Sequence, residues 1–493
     1  MKRFWCMILV TLMFLSCFTG CGKKNQEQES EENTTAASTE TSNPYDVHDN
    51  LGDLTFGTKE SPTDFVVLQW DSYDPDWCID PEITESSVGE ELYLRQLYME
   101  DRFKIAFSFV ESSGKHGGIA AFNEKIETSI LNGLQAYDLA GHYSTGASLL
   151  ITNGYAKNLL EVKNLDLSRT YWPQDLLGAN VVNNQLYFLS GYLAPSYFGN
   201  IACVFYNQNT ISAMSYQDPV DLVDSNEWTF DKLKEMAVGL YDDNNNSLTV
   251  DRDDTFGLVF NMKAAPIDAL SIACGVKLMD IGSDGRLRLS PTCYNTKGLG
   301  VMNYLTKLIN ENDAVFIDSD YGNDFGGVFA GGRSLFLVDQ FNNIRGYMDK
   351  ASFTIGVVPV PKYETTQQRY YSSIGPQYTM FTIPANAKNS DMSGALLEAL
   401  ESYSYRELFP VLYEENFKLQ YSKDSDMSRM VTLIYESVSL DPAKTWGDAA
   451  DIYWVTRTSL CGGDSWSTRL GKLRETTWNG QIEKLNKYLF LEE

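Results

Sequence analysis

The chain has 493 residues, 43% hydrophobic and 13% aromatic, which is material for two or three compact units with sizeable cores. Its formal net charge of -27 excludes nucleic acid as a partner and favours a neutral or cationic ligand. Its three histidines, His48, His116 and His142, are spread through the sequence, which argues against a histidine-built zinc site.

Residues 1–20 read as a secretory signal. Lys2 and Arg3 precede the apolar run "FWCMILVTLMFLSCF", too short for a bilayer span of about 20 residues. The run meets small residues at "FTGC", which resembles a bacterial lipobox with Phe18 where leucine is usual. That resemblance implies a lipid on Cys21 and anchoring at the outer face of the cell membrane; an ordinary signal cut nearby is the alternative. Residues 21–60 are rich in Gln, Glu, Ser, Thr and Asn, and are expected to form a disordered tether.

Beyond the tether, "DFVVLQW" predicts a buried strand and "SYDPDW" a loop. "EELYLRQLYMEDRF" carries apolar residues on one helical face, "KIAFSFVES" alternates at strand period, and "FNEKIETSILNG" returns to helix with Gly133 as its stop. "YDLAG" is the next strand, followed by the loop "HYSTGAS". Strand, helix, strand, helix, strand is the order of an α/β unit with a parallel sheet. "NQLYFLSG" and "ACVFYNQN" are read as strands joined by "YLAPSYFGN", and "WTFDKLKEMAVGLY" as a helix capped by Thr229. "TFGLVF", "RSLFLVD", "FTIGVVP" and "YTMFTIP" are further strands; "GVMNYLTKLINEN" and segments after Ser393 are helical. Cys274 and Cys293 flank a hairpin centred on Ser283-Asp284-Gly285, as a bridged pair or as two buried thiols.

Several strings in this order, "VFYNQNTI", "DPVDLVDSNEWTFDKLKEMA", "DDNNNSLTVDRDDTFGLVF", "FAGGRSLFLV" and "IGVVPVPKYETTQQRYY", resemble the extracellular solute-binding proteins of bacterial ABC importers. The likeness is to the sugar-binding group (family 1), in its Gram-positive lipoprotein form, and spans about residues 64–490. It implies a two-lobed, periplasmic-binding-protein-like (Venus-flytrap) α/β fold with hinge strands between discontinuous lobes. Residues 61–195 plus 340–378 are expected in lobe 1, and 196–339 plus 379–493 in lobe 2. Crossings are expected near 192–200, near Asp339 and near Tyr378. The function implied is capture of a sugar or oligosaccharide by a monomer, for delivery to an ABC permease, with no chemistry on the ligand.

Sugar binding needs flat aromatic faces and planar polar groups, and open α/β sheets place ligands beyond the carboxyl ends of strands. Trp70, Asp71 and Tyr73 follow the first strand in this way, and His142 and Tyr143 follow "YDLAG". The resemblance adds Tyr192, Asp339 and Tyr378 at the crossings and Trp454 in a late aromatic segment. Trp172, Trp446, Trp466 and Trp478 are assigned to packing.

The acidic stretch before "FGL" places Asp243, Asn245, Ser247, Asp251 and Asp254 at the spacing of a calcium loop. Leu248 stands where such a loop takes glycine, and Asp254 where it takes a longer glutamate, so a solvated acidic turn is the expectation and no cofactor is required. Two other function classes remain open on sequence: an extracellular glycan hydrolase, needing two facing carboxylates, and a peptide- or polyamine-binding protein of the same fold. No HExxH, GxSxG or phosphate-loop motif supports an enzyme.

Overall fold

The computed structural model describes residues 45–72, 76–78, 86–115, 117–262, 264–318, 325–413, 425–446, 452–462, 465–473, 480 and 482–491. The signal, Cys21, the first part of the expected tether, Tyr73, His116 and Trp478 lie outside them. In chain order the main elements begin with β1 (Thr63–Trp70), α1 (Ser87–Phe103), β2 (Ile105–Ser112), α2 (Ile119–Leu131), β3 (Leu139–Tyr143) and α3 (Gln174–Asn180). Next come β4 (Ala202–Asn207), α4 (Phe230–Ala237), β5 (Phe256–Asn261), α5 (Ala264–Ala273), β6 (Met279–Ile281), β7 (Leu287–Leu289) and α6 (Thr296–Asn310). The chain continues with β8 (Val315–Asp318), β9 (Ser334–Gln340), β10 (Ile355–Val358), β11 (Thr379–Thr382) and α7 (Ser390–Tyr403). It ends with α8 (Phe409–Tyr413), α9 (Ser425–Glu436), α10 (Ile452–Gly462) and two short helices.

Two sheets make two α/β lobes. The first has the order β11-β3-β1-β2, with β1 parallel to β2 and β3 and with β11 antiparallel on the edge. The second has the order β10-β4-β9-β5-β8 and is mixed, since β4 runs antiparallel to both β9 and β10. Strands buried on both faces read as continuous apolar runs, and "FVVLQW" and "SLFLV" do so because helices cover each side. Side-chain caps start the helices, the one at Thr229 as the sequence suggests. Ser86 caps α1 by accepting from Gly89, and Thr229 caps α4 by accepting from Lys232. The helix at 230 is shorter than expected, because the backbone turns extended at Val238 and left-handed at Gly239.

The lobe boundaries differ from the expectation at two places. β10, at 355–358, pairs with β4 in the second lobe, and β11, at 379–382, pairs with β3 in the first. Asp339 marks no crossing. It sits inside β9, opposite Cys203 of β4, because β9 is a central strand held on both sides. The return to the first lobe comes only after Ile374. Three segments carry the chain between lobes and are tied to one another. Ala202 donates to the Ser373 carbonyl and Gly375 to that of Asn200, at 2.8 Å each. Ser372 and Ser439 exchange bonds with Ser437 and Ser372 along the third.

The last part of the expected tether is folded. Tyr45, Val47, Leu51, Leu54 and Phe56 pack on the core of the folded chain, so residues 45–57 are ordered by burial. "NQLYFLSG" is extended but meets its neighbour only at the isolated Leu189–Phe381 bridge. β6 and β7 form the expected hairpin, and no disulfide joins Cys274 to Cys293. Among the described residues, no helix is long and apolar enough to cross a membrane.

Candidate functional site

The carboxyl ends of β1 and β3 in the first lobe and of β9 in the second reach the crossing segments. Ser144, just past β3, donates its hydroxyl to the Pro376 carbonyl at 2.7 Å. Gln340, the last residue of β9, bonds Asn200 through its side-chain amide. A Cβ placed on Gly375 would stand 2.6 Å from the Gln340 amide nitrogen and 2.9 Å from Cβ of Ala265 in α5. This point is therefore a floor where the two lobes join, and a side chain at 375 would crowd Gln340 and Ala265.

Buried beside this floor are hydroxyls that nothing pairs. Thr145 is 8% exposed and Ser148 1%, and neither side-chain oxygen has a partner. Ser372 and Ser373, on a crossing segment, are in the same state. A buried polar group left unmatched costs about 1–3 kcal/mol, which a ligand rich in hydroxyls or amides would recover. The loop "HYSTGAS", singled out in the sequence for His142 and Tyr143, also carries Thr145 and Ser148.

Of the sequence-derived residues, Asp71 is half-buried just past the end of β1. It accepts from the Gly114 amide at 2.9 Å and lies 3.5 Å from the Lys115 ammonium. Partial burial would raise its pKa, but the amide bond and Lys115 outweigh this and hold the carboxyl below its ordinary value. Tyr143 lies at the end of β3 and is nearly buried, its ring edge-on to Trp70 at 5.2 Å.

The structure places the other described residues as follows. Trp70 is 0% exposed, and its indole N–H donates to the Thr379 hydroxyl at 2.8 Å, so it packs the core below the cleft. His142 is buried, with its Nε2 meeting the Thr382 hydroxyl at 2.9 Å and its ring edge-on to Phe122. Burial pushes its pKa down to about 3, so it is neutral. Tyr192 sits in an aromatic cluster with Phe198, Tyr405 and Phe409. Tyr378 is buried edge-on to Tyr197. Asp339 accepts from Asn343 at 2.7 Å and from the Tyr347 hydroxyl, which fixes the turn after β9. Trp454 belongs to α10, and its side chain lies outside the described residues.

Buried ionisable side chains pin the first crossing to the first lobe. Glu401 accepts from the backbone N–H groups of Tyr192 and Leu193 at 3.0 and 2.7 Å. Asp76 accepts from the Ser196 amide and hydroxyl at 2.9 and 2.8 Å, and from the Thr379 hydroxyl. Arg95 donates to the Leu193 carbonyl and the Ser404 hydroxyl, both at 2.9 Å. Burial raises the Glu401 pKa to about 8 and that of Asp76 to about 6, against their hydrogen bonds. Isolated acids in a long sequence give no signal that they will meet here.

A second space between lobes lies beside the crossings. It is a cavity of about 530 Å³ with Asp175 and Ala179 of α3 on one wall and Lys277, Arg369 and Tyr371 on the other. Arg369 and Asp175 face each other across it at 4.0 Å, and nearby the Thr445 hydroxyl donates to Asn180 at 2.6 Å. Among the described residues, none of the sequence-derived ones lines it.

The acidic loop closes on itself. Asp243 accepts from the amides of Ser247 and Leu248, at 3.1 and 3.0 Å, and Asn245 donates to both oxygens of Asp251. Asp254 accepts from the Asp251 amide and the Tyr241 hydroxyl. Leu248 takes the left-handed conformation, φ 61°, that glycine would take at this point. Among the described residues, no group of three or more His, Cys, Asp or Glu side chains is gathered to hold a metal.

No family model and no curated protein sequence matches the chain. Solved structures do. A substrate-binding protein of ABC type from Listeria monocytogenes, solved with cycloalternan, aligns at TM-score 0.54 and 14% identity over 84% of this chain and 99% of its own. The GacH receptor of Streptomyces glaucescens, solved with acarbose, aligns at TM-score 0.54 and 15% identity over 85% and 99%. UgpB of Mycobacterium tuberculosis, solved with glycerophosphocholine, aligns at TM-score 0.53 and 14% identity over 84% and 98%. The fold is thus the two-lobed fold of these solute-binding proteins.

Proposed function

We propose that this chain captures a carbohydrate between its lobes and hands it to the membrane subunits of an ABC importer. The observation that carries the reading is the cleft floor, where strand ends of both lobes meet at tied crossing segments beside unpaired buried hydroxyls. A ligand touching both lobes favours the closed form by its differential affinity for it. Support for carbohydrate comes from the fold shared with proteins solved with cycloalternan and acarbose, and from a net charge that disfavours anions. Because the same fold is solved with glycerophosphocholine, ligand class rests on the cleft and not on the fold. In this reading the protein works as a monomer and leaves its ligand unchanged. A lipid on Cys21 would hold it at the extracytoplasmic face of the cell membrane, and no metal is needed.

Thermal unfolding against mono- and oligosaccharides, peptides and polyamines tests this directly. A ligand at 100 times its dissociation constant adds about 2.7 kcal/mol to folding stability. Stabilisation by one sugar class, with the sugar recovered intact, is the expected result. Stabilisation only by peptides or polyamines overturns the ligand class, and recovery of cleaved sugar overturns the binding-protein reading.

A further inference from the structure

Residues 45–57 precede β1 and belong to no sheet, yet three arginines from three parts of the first lobe grip them. Arg102 of α1 makes a two-pronged pair with Asp49, at 2.6 and 2.7 Å. Arg169 donates to the His48 carbonyl at 2.6 Å, and Arg406 meets His48 Nδ1 at 3.1 Å. Ser402 bonds the Val47 carbonyl, and the Phe56 amide donates to Phe103 at 2.8 Å. Chain leading out of a domain stays ordered only where it is tied down, and this piece is tied along its length.

Its leading end reaches the crossing. The Tyr45 ring lies 5.2 Å from Tyr405 and 5.9 Å from Phe409. Those rings flank Tyr192, at 4.8 and 4.9 Å, on the crossing segment whose amides Glu401 holds. Phe409 continues to Phe198 and to Tyr435 of α9, and Tyr435 to Phe341, the residue after β9 in the second lobe. The rings form one packed series from the N-terminal segment, through the crossing, to the second lobe. Rotation of the lobes has to repack the far rings of this series against Phe409 and Tyr192, and Tyr45 backs the near end. Packed interiors respond to such a shift by switching between arrangements, not by deforming smoothly.

We infer that residues 45–57 are a strap that forms part of the hinge: docked, it restrains the crossing segment, and drawn off, it frees the lobes to move. The inference deepens the lobe-closure reading and rests on it, but its test needs no ligand.

The test uses the full chain with Asp49→Ala and, separately, Tyr45→Ala. Amide hydrogen exchange of the peptide spanning 191–199 is measured beside that of β5, and small-angle scattering gives the radius of gyration. At least tenfold faster exchange at 191–199 in both variants, with β5 unchanged and an altered radius, is expected. Exchange and radius equal to the parent chain in both would reduce the strap to a passive fastening and overturn the inference. If Tyr45→Ala does not fold, Tyr45→Leu keeps apolar volume without the ring and is held to the same two outcomes. Failure of every carbohydrate to bind the parent chain would sink the proposed function alone, because the exchange comparison still decides the strap.

Discussion

Trp70 donates its indole N–H to the hydroxyl of Thr379, which lies 309 residues further along the chain. The bond joins the first strand of the sheet to its edge strand, the one on which the chain re-enters the first lobe. Trp70 is fully buried there, with Tyr143 edge-on beside it. Trp70→Ala is therefore expected to lower unfolding free energy by about 3–5 kcal/mol without ligand, as read by denaturant titration. A variant of parental stability with weakened ligand binding would restore Trp70 to the binding face.

Thr145→Val and Ser148→Ala are expected to behave in the opposite way. Each removes a buried hydroxyl that has no partner, so stability without ligand should hold or rise. If ligand supplies the partner, each change weakens binding by up to roughly tenfold, the worth of one hydrogen bond. Calorimetric titration against the stabilising ligand would read it. Unchanged affinity in both would move the contact surface elsewhere in the cleft.

Stability should fall as pH rises from about 5 to 8 in the part that Glu401 controls. Burial raises its folded pKa to about 8, while the unfolded carboxyl keeps its ordinary value near 4.5. In that window the folded state holds a proton that the unfolded state has released, so rising pH favours unfolding. Asp76 acts with the same sign up to about pH 6. Glu401→Gln should remove most of this slope between pH 6 and 8 in urea melts at stepped pH. A slope as steep as that of the parent would place the titrating group elsewhere.

His142 contributes with the opposite sign at lower pH. Its folded pKa is depressed to about 3 by burial, so between that value and about 6.5 the unfolded state binds the extra proton. The stability it contributes is present above 6.5 and lost as pH falls. Ring resonances of His142 should therefore stay at their neutral position down to about pH 4. Titration near pH 6.5 would show that the ring reaches water.

Leu248→Gly should stabilise the acidic loop by up to about 1 kcal/mol. A left-handed conformation costs a non-glycine residue roughly 1–2 kcal/mol, part of which the greater freedom of unfolded glycine takes back. A lower melting temperature for Leu248→Gly would mean that the exposed leucine makes contacts the loop depends on.

The sequence by itself determined the local layers of this protein. Apolar runs such as "FVVLQW", the cap Thr229 and the hairpin at Gly285 follow from side-chain chemistry acting over a few residues. They read correctly without any tertiary knowledge. The loops at strand ends were legible for the same reason, since period and turn residues mark where a strand stops. What the tertiary structure alone decided is which side chain at each such place meets solvent. Trp70 went inward because Thr379 offers its indole a partner, and His142 went under α2 because Thr382 and Phe122 close over its ring. Glu401, Asp76 and Arg95 became the fastening of a crossing segment only when residues hundreds of positions apart were brought together. The fate of an aromatic or an acid depends on such distant partners, and composition and periodicity carry no record of them.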